Sequence, residues 1–219
     1  MKALPVLLSF NGGYVDTAGF LALQGLFTAH VTGNFVTLAA ALSFGTSGVL
    51  TKLLALPVFC IVVIVTRLVS HGFPGRGWAA LPTMLTLKLL LLIAGAILAI
   101  RFGPFKDGDS GLAMVTGLTL VAAMAIQNAA HRTHLGTTPP STIMTGTTTQ
   151  LMIDVADAVH GLSPDKRDAT RERMRAMGLA VATFAIGAAL AAFLFHTVGT
   201  WCFAVAPTVA LATRLLATR

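Results

Sequence analysis

Charge is scarce in this chain of 219 residues: 11% of them are Asp, Glu, Lys or Arg, while 55% are hydrophobic. Soluble domains carry roughly 25% charged residues. No Asp, Glu, Lys or Arg occurs from Thr17 to Thr51, from Ser110 to His131, or from Ala176 to Thr213. One core in a globule of this size could not hide so much apolar surface. A soluble enzyme or nucleic-acid binder is therefore excluded, and the expected solvent is lipid. Cysteine is nearly absent too. Cys60 and Cys202 lie inside apolar segments, without the neighbours that a thiolate metal site needs. His30, His134, His160 and His196 are scattered near segment ends, so no metal is expected. There is no G-x-S-x-G, H-E-x-x-H or P-loop pattern, so no catalysis and no cofactor are expected either.

What is present is long apolar runs and a positive balance. The mean hydropathy is +0.82 and the net charge is +7. The basic residues sit at the ends of apolar segments, as the positive-inside bias places them. The densest run, Lys166, Arg167, Arg171, Arg173 and Arg175, is mixed with Asp165, Asp168 and Glu172. It reads as a cytoplasmic loop facing anionic headgroups. The start, Met1-Lys2-Ala3-Leu4-Pro5, imitates a signal peptide. It lacks a small-x-small cleavage site, so it reads as the start of the first membrane helix.

Eight apolar segments are expected, at roughly 3–27, 31–46, 50–70, 78–101, 110–135, 141–160, 174–197 and 200–217. The fold class is an all-α polytopic membrane protein forming one membrane domain, 1–219. Turn-rich separators mark the boundaries: Gly45-Thr46-Ser47-Gly48, Gly72-Phe73-Pro74-Gly75, Gly103-Pro104 and Thr137-Thr138-Pro139-Pro140. The 161–173 stretch is the only long polar loop, with Ser163-Pro164-Asp165 as a helix start inside it. The halves 1–103 and 110–219 resemble each other. Thr32-Gly33-Asn34 matches Thr145-Gly146-Thr147, and Asp16 and Asn128 precede them at similar distances. Phe59 matches Phe184, and Pro82-Thr83 matches Pro207-Thr208, at one shared shift. Repeats of this size are a signature of transporter folds.

The second and sixth segments are short. If they dip in and return, the halves are inverted and six full spans are accompanied by two half-length helices. If they span, the halves run parallel. Either arrangement leaves most Lys and Arg on one side, so the charge rule does not choose; length favours the dipping form. In both, the two termini and the 161–173 loop are cytoplasmic.

Polar residues inside apolar segments are the candidate site. A charge near mid-bilayer costs on the order of 2.5–3.5 kcal/mol on insertion scales and persists only if paired or facing a cavity. Asp16 follows Asn11, Gly12 and Gly13, which suggest a thinned or broken helix lining a cavity; close helix packing at the glycines is the alternative. Lys88 lies near the centre of its segment, with Asp16 as the expected counter-ion. Thr32, Gly33 and Asn34, like Thr145 and Gly146, open the short segments, where a half-helix start presents its positive dipole end to a solute. Gln127 and Asn128 are adjacent amides late in the fifth segment. Asp154, Asp157 and His160 share a helix face, which reads as a solvated surface rather than a hydrolase site.

Phe10-Asn11-Gly12-Gly13-x-x-Asp16-x-x-Gly19-Phe20, followed by Phe27-Thr28-Ala29-His30-Val31-Thr32-Gly33-Asn34, closely resembles the N-terminal signature of the bacterial YoaK-like membrane proteins, the DUF1275 family. Gln127-Asn128-Ala129 with Thr145-Gly146-Thr147 resembles that family's second signature, although Ala125-Ile126 stands where glycine-rich sequence is expected. The resemblance covers essentially the whole chain. It implies a multi-spanning protein of the bacterial cytoplasmic membrane, of a kind sometimes described as permeases, and supplies no substrate. The expected function is a small-molecule permease; a membrane scaffold or sensor acting through the 161–173 loop is the alternative. The expected partners are the lipid bilayer and an unidentified small molecule, with no nucleic acid; self-association into a homo-oligomer is left open.

Overall fold

The computed structural model describes residues 3–72 and 79–218. The expected turn Gly72-Phe73-Pro74-Gly75 therefore lies, beyond Gly72, outside the described residues, as do Met1 and Lys2. The described residues form eight helices: α1 (Ala3–Ala22), α2 (Asn34–Phe44), α3 (Val49–Ser70), α4 (Ala80–Phe102), α5 (Gly111–His134), α6 (Met144–His160), α7 (Pro164–Val198) and α8 (Val205–Leu216). Short 3-10 turns, Val31–Gly33 and Gly199–Ala204, lead into α2 and α8. Four helical stretches among the described residues are long and apolar enough to cross a membrane: Val49–Ser70, Ala80–Phe102, Gly111–His134 and Asp165–Leu216. Ile61, Ile64, Val65 and Leu68 on α3 and Phe35 and Phe44 on α2 are exposed, which suits a lipid-facing surface.

Three expectations about the elements are corrected. α1 runs unbroken through Asn11-Gly12-Gly13 and ends at Ala22 rather than near residue 27. The glycines serve packing: a Cβ on Gly13 would collide with the Phe184 backbone carbonyl, and one on Gly187 with that of Phe10. The α1 and α7 backbones thus meet at a crossing that only small residues permit. Most of the 161–173 stretch is helix rather than loop, while the expected helix start is borne out: α7 begins at Pro164, with Ser163 as an extended N-cap residue, and Pro is pre-organised for a first helical position.

The chain after α1 turns back on itself. Gln24 (φ 54) and Gly25 (φ 81) take left-handed conformations just past the helix end. From there the chain runs to the start of α2 and along it to Gly48. Gly48 lies against Gln24, and Gly108 of the α4–α5 loop packs on both. The excursion 25–47 therefore begins and ends at one end of the molecule. Asp109 anchors that end: its carboxylate accepts the N–H groups of Gly48 at 3.0 Å and Thr51 at 2.9 Å. These are donors that the start of α3 would otherwise leave unpaired.

The two halves interlock. α1 packs on α7 and α8, and α5 packs on α3 and α4. α2 leans on α3, α6 on α7, and α4 on α8. α1 and α5 are antiparallel, since Gln127 meets Leu8 and Gly12 while Gly117 meets Leu23 and Leu26. α4 and α8 are antiparallel as well, with Thr86 beside Arg214 and Gly103 beside Thr200. α1, α5, α4 and α8 close a ring. Its interior holds Val15, Leu92, Leu120, Met124 and Ala210 in one apolar cluster.

Candidate functional site

Asp16 lies one turn beyond Gly12 on α1 and is 4% exposed. Its Oδ1 accepts the N–H groups of Thr28 at 2.8 Å, Ala29 at 2.7 Å and His30 at 3.3 Å. Its Oδ2 meets His30 Nδ1 at 2.7 Å. Asn34 closes the same loop, its Oδ1 accepting from Phe27 N–H and its Nδ2 donating to Phe27 C=O, both at 2.8 Å. The His30 ring stands edge-on to Phe184 of α7. A buried carboxylate saturated by backbone donors needs no distant cation. The expected Asp16–Lys88 pair is thus corrected: the partner is His30. The sequence signal for it is a histidine between the motif's Thr28 and Thr32, at a position that no ligand spacing marks.

The second half holds its corresponding loop with amides. Gln127 Nε2 donates to Leu8 C=O at 2.9 Å and to Ser141 Oγ at 3.0 Å. Asn128 Oδ1 accepts the Thr142 hydroxyl at 2.6 Å, and its Nδ2 donates to Met124 C=O at 2.9 Å. Gly12 lets Ser141 C=O approach α1. A cleft of about 110 Å³ is lined by Asn128, His131, Arg132, Thr138, Ser141 and others, and so ends beside Gln127.

Thr32, Thr145 and Gly146 do not join these residues. All three are exposed on the outside of the bundle, and neither short helix start has a side-chain cap. Gly33 packs on the Phe27 ring. Asp154 is no free carboxylate. It is fully covered and held bidentately by Arg173 Nε and an Nη, both at 2.7 Å, with Gln150 Nε2 at 2.9 Å. Asp157 and His160 stay exposed. The Arg173 hydrogen bonds outweigh burial and hold Asp154 below the usual carboxylate range. Burial pushes Asp109 up, but the N–H groups of Thr51, Leu50 and Gly48 and the Thr51 hydroxyl bring it below that range.

What remains is a set of groups without partners. Lys88, Asn11 and Gln127 are each 0% exposed. Lys88 Nζ, both amide atoms of Asn11 and Gln127 Oε1 are buried with no hydrogen-bond partner among the described residues. Each such orphan costs roughly 1–3 kcal/mol, and more where the group is charged. Buried polar groups are nearly always hydrogen-bonded, so orphans at this depth call for a physical reason.

A helical, apolar-faced chain with ionisable groups in its interior is a polytopic membrane protein. The chain belongs to the family described as "Protein of unknown function (DUF1275)", which matches residues 4–216. It is 29% identical over 191 residues to the UPF0700 transmembrane protein YoaK of Bacillus subtilis (strain 168), covering 85% of this chain and 80% of that one. No solved structure matches.

Proposed function

We propose that the protein is a small-solute permease of the cytoplasmic membrane, with its solute site inside the α1–α5–α4–α8 ring. The observation that carries this reading is the set of partnerless polar atoms on Asn11, Lys88 and Gln127, among others, at depth in a mostly apolar interior. Asp16 is the latch of the loop between α1 and α2 in this reading, not the solute ligand, because both its oxygens are engaged.

The packing supports it when read as an inverted repeat. Exchanging α1, α2, α3 and α4 for α5, α6, α7 and α8 leaves the packing scheme unchanged: α1 on α7 becomes α5 on α3, and α1 on α8 becomes α5 on α4. The antiparallel α1/α5 and α4/α8 pairs fit halves of opposite orientation. With α2 returning to its own side, each half then has three spans and one half-length helix. Arg67, Arg132 and Arg214 cluster at one end and Lys52, Arg101 and Lys106 at the other. The first end, which also carries the exposed Lys166, Arg167, Arg171 and Arg175, is cytoplasmic in this reading. Repeat halves meeting at a polar site are the architecture that rocks between two openings.

Proteoliposomes challenged with anionic, zwitterionic and neutral small solutes test the proposal by osmotic swelling. At least one solute should enter faster than into protein-free vesicles, and Asn11→Leu should slow it. Equal entry for every solute would remove the permease reading.

A further inference from the structure

The interior polar atoms differ in sign. We infer that the site takes a small hydroxycarboxylate anion, with Lys88 as its counter-charge and the Asn11 and Gln127 amides around it. The inference rests on the permease reading and names its solute class.

Depth comes first. On α4, Met84, Lys88 and Leu92 form one stripe at i, i+4, i+8. Leu120 of α5 covers Gly95, and Met84 packs with Ile126 and Ala130. Lys88 lies between those contacts, so it comes level with the stretch of α5 just before and including Gln127. On α1, both Leu8 and Gly12 touch Gln127, which puts Asn11 at the same level. Direction follows from about 100° per residue. Leu8 and Gly12 face α5, and the Tyr14 hydroxyl reaches Cys202 C=O just before α8 at 2.7 Å. Asn11 projects between those two directions, toward the ring interior where Lys88 lies.

Charge comes second. The chain has eight Asp and Glu residues, and none serves Lys88. Asp16 is held by His30, and Asp154 by Arg173. Asp109 caps α3. Asp107, Asp157, Asp165, Asp168 and Glu172 are exposed at the ends of the molecule. A lysine in an apolar ring without an internal anion is stable as an ammonium only when an external anion joins it.

The donor and acceptor inventory then narrows the ligand. Lys88 offers three donors and the Asn11 amide nitrogen two more, which suit a carboxylate. Asn11 Oδ1 and Gln127 Oε1 are acceptors and are also empty. A halide would leave both unpaired. A carboxylate carrying a hydroxyl beside it bonds to donors and acceptors together.

Thermal unfolding of the purified protein at pH 7 and fixed ionic strength, with sodium glycolate, acetate or chloride, is the test. Glycolate should raise the Tm above the chloride value by about 5 °C at a hundredfold excess over its Kd, and acetate by less. Lys88→Met should be at least as stable as wild type in chloride and lose the glycolate shift. Asn11→Ala should keep the fold and weaken glycolate at least tenfold, which serves if Lys88→Met does not fold. A glycolate shift no larger than that of chloride, or one unchanged in either variant, overturns the inference. Glycolate binding without uptake into proteoliposomes would sink the permease reading and leave this site standing. Uptake of a neutral solute with no Lys88-dependent glycolate shift would do the reverse.

Discussion

Replacing Gly13 with alanine adds one methyl group at the tightest point of the molecule. Its Cβ would overlap the carbonyl of Phe184, a backbone atom fixed in the α7 hydrogen-bond ladder. A flexible side chain could rotate away; this oxygen cannot, so α1 and α7 must separate along their contact. Overpacking costs roughly 1–3 kcal/mol, and a backbone obstacle puts Gly13→Ala at the upper end, about 3 kcal/mol. For a chain of this size that is a fall in apparent Tm of about 6–12 °C. Gly187→Ala should match it, since its Cβ would strike Phe10 C=O and Tyr14 N. The double variant should lose less than the two together, because once the helices are parted the second methyl meets less. Gly111→Ala is the control: nothing lies within 4 Å of a Cβ there, so its Tm should hold or rise slightly. The assay is thermal unfolding in detergent, followed by fluorescence and by the surviving monodisperse peak. A Gly13→Ala protein within about 1 °C of wild type would refute the close crossing.

The Asp16 latch predicts that Asp16→Ala leaves the Thr28 and Ala29 N–H groups unpaired and costs about 3 kcal/mol. Asp16→Asn, which keeps one oxygen acceptor, should cost about 1 kcal/mol; unfolding curves equal to wild type for both would remove the latch. The contact of Gln24 with Gly48 predicts that Gln24→Cys/Gly48→Cys, with Cys60 and Cys202 replaced by alanine, forms a disulfide on mild oxidation. The two Cβ positions are 3.5 Å apart, within disulfide geometry; a chain that stays uncross-linked on gels would count against it. Asp109 and Asp154 are both held below the usual carboxylate range. Their contribution is therefore present above about pH 4 and is lost as pH falls through the depressed values. Asp109→Asn and Asp154→Asn should each flatten the fall in Tm between pH 5 and pH 3, and an unchanged slope would show that the group does not contribute.

The sequence by itself determined the solvent, the class and most of the helices. Long charge-free runs have no home but lipid, and apolar length sets where helices can lie. It also singled out polar residues that are costly in an apolar segment; Asn11, Asp16, Lys88, Gln127 and Asn128 are all buried or hydrogen-bonded. What it could not assign was partners. Asp16 and Lys88 are both ionised types, and their similar depth in their segments favours pairing them. Only the reversal at Gln24 and Gly25, which carries His30 back onto α1, decides otherwise. The same reversal brings Gln24 against Gly48, a contact that no local pattern encodes. Gly12 and Gly13 read first as a break, with a packing face as the alternative, since propensity is local while Phe184 lies far along the chain. Thr32 and Thr145 looked like solute ligands by symmetry, but which way a helix start faces is set by the helix it leans on. Tertiary structure alone settled those points, because each depends on which distant backbone occupies the space beside a residue.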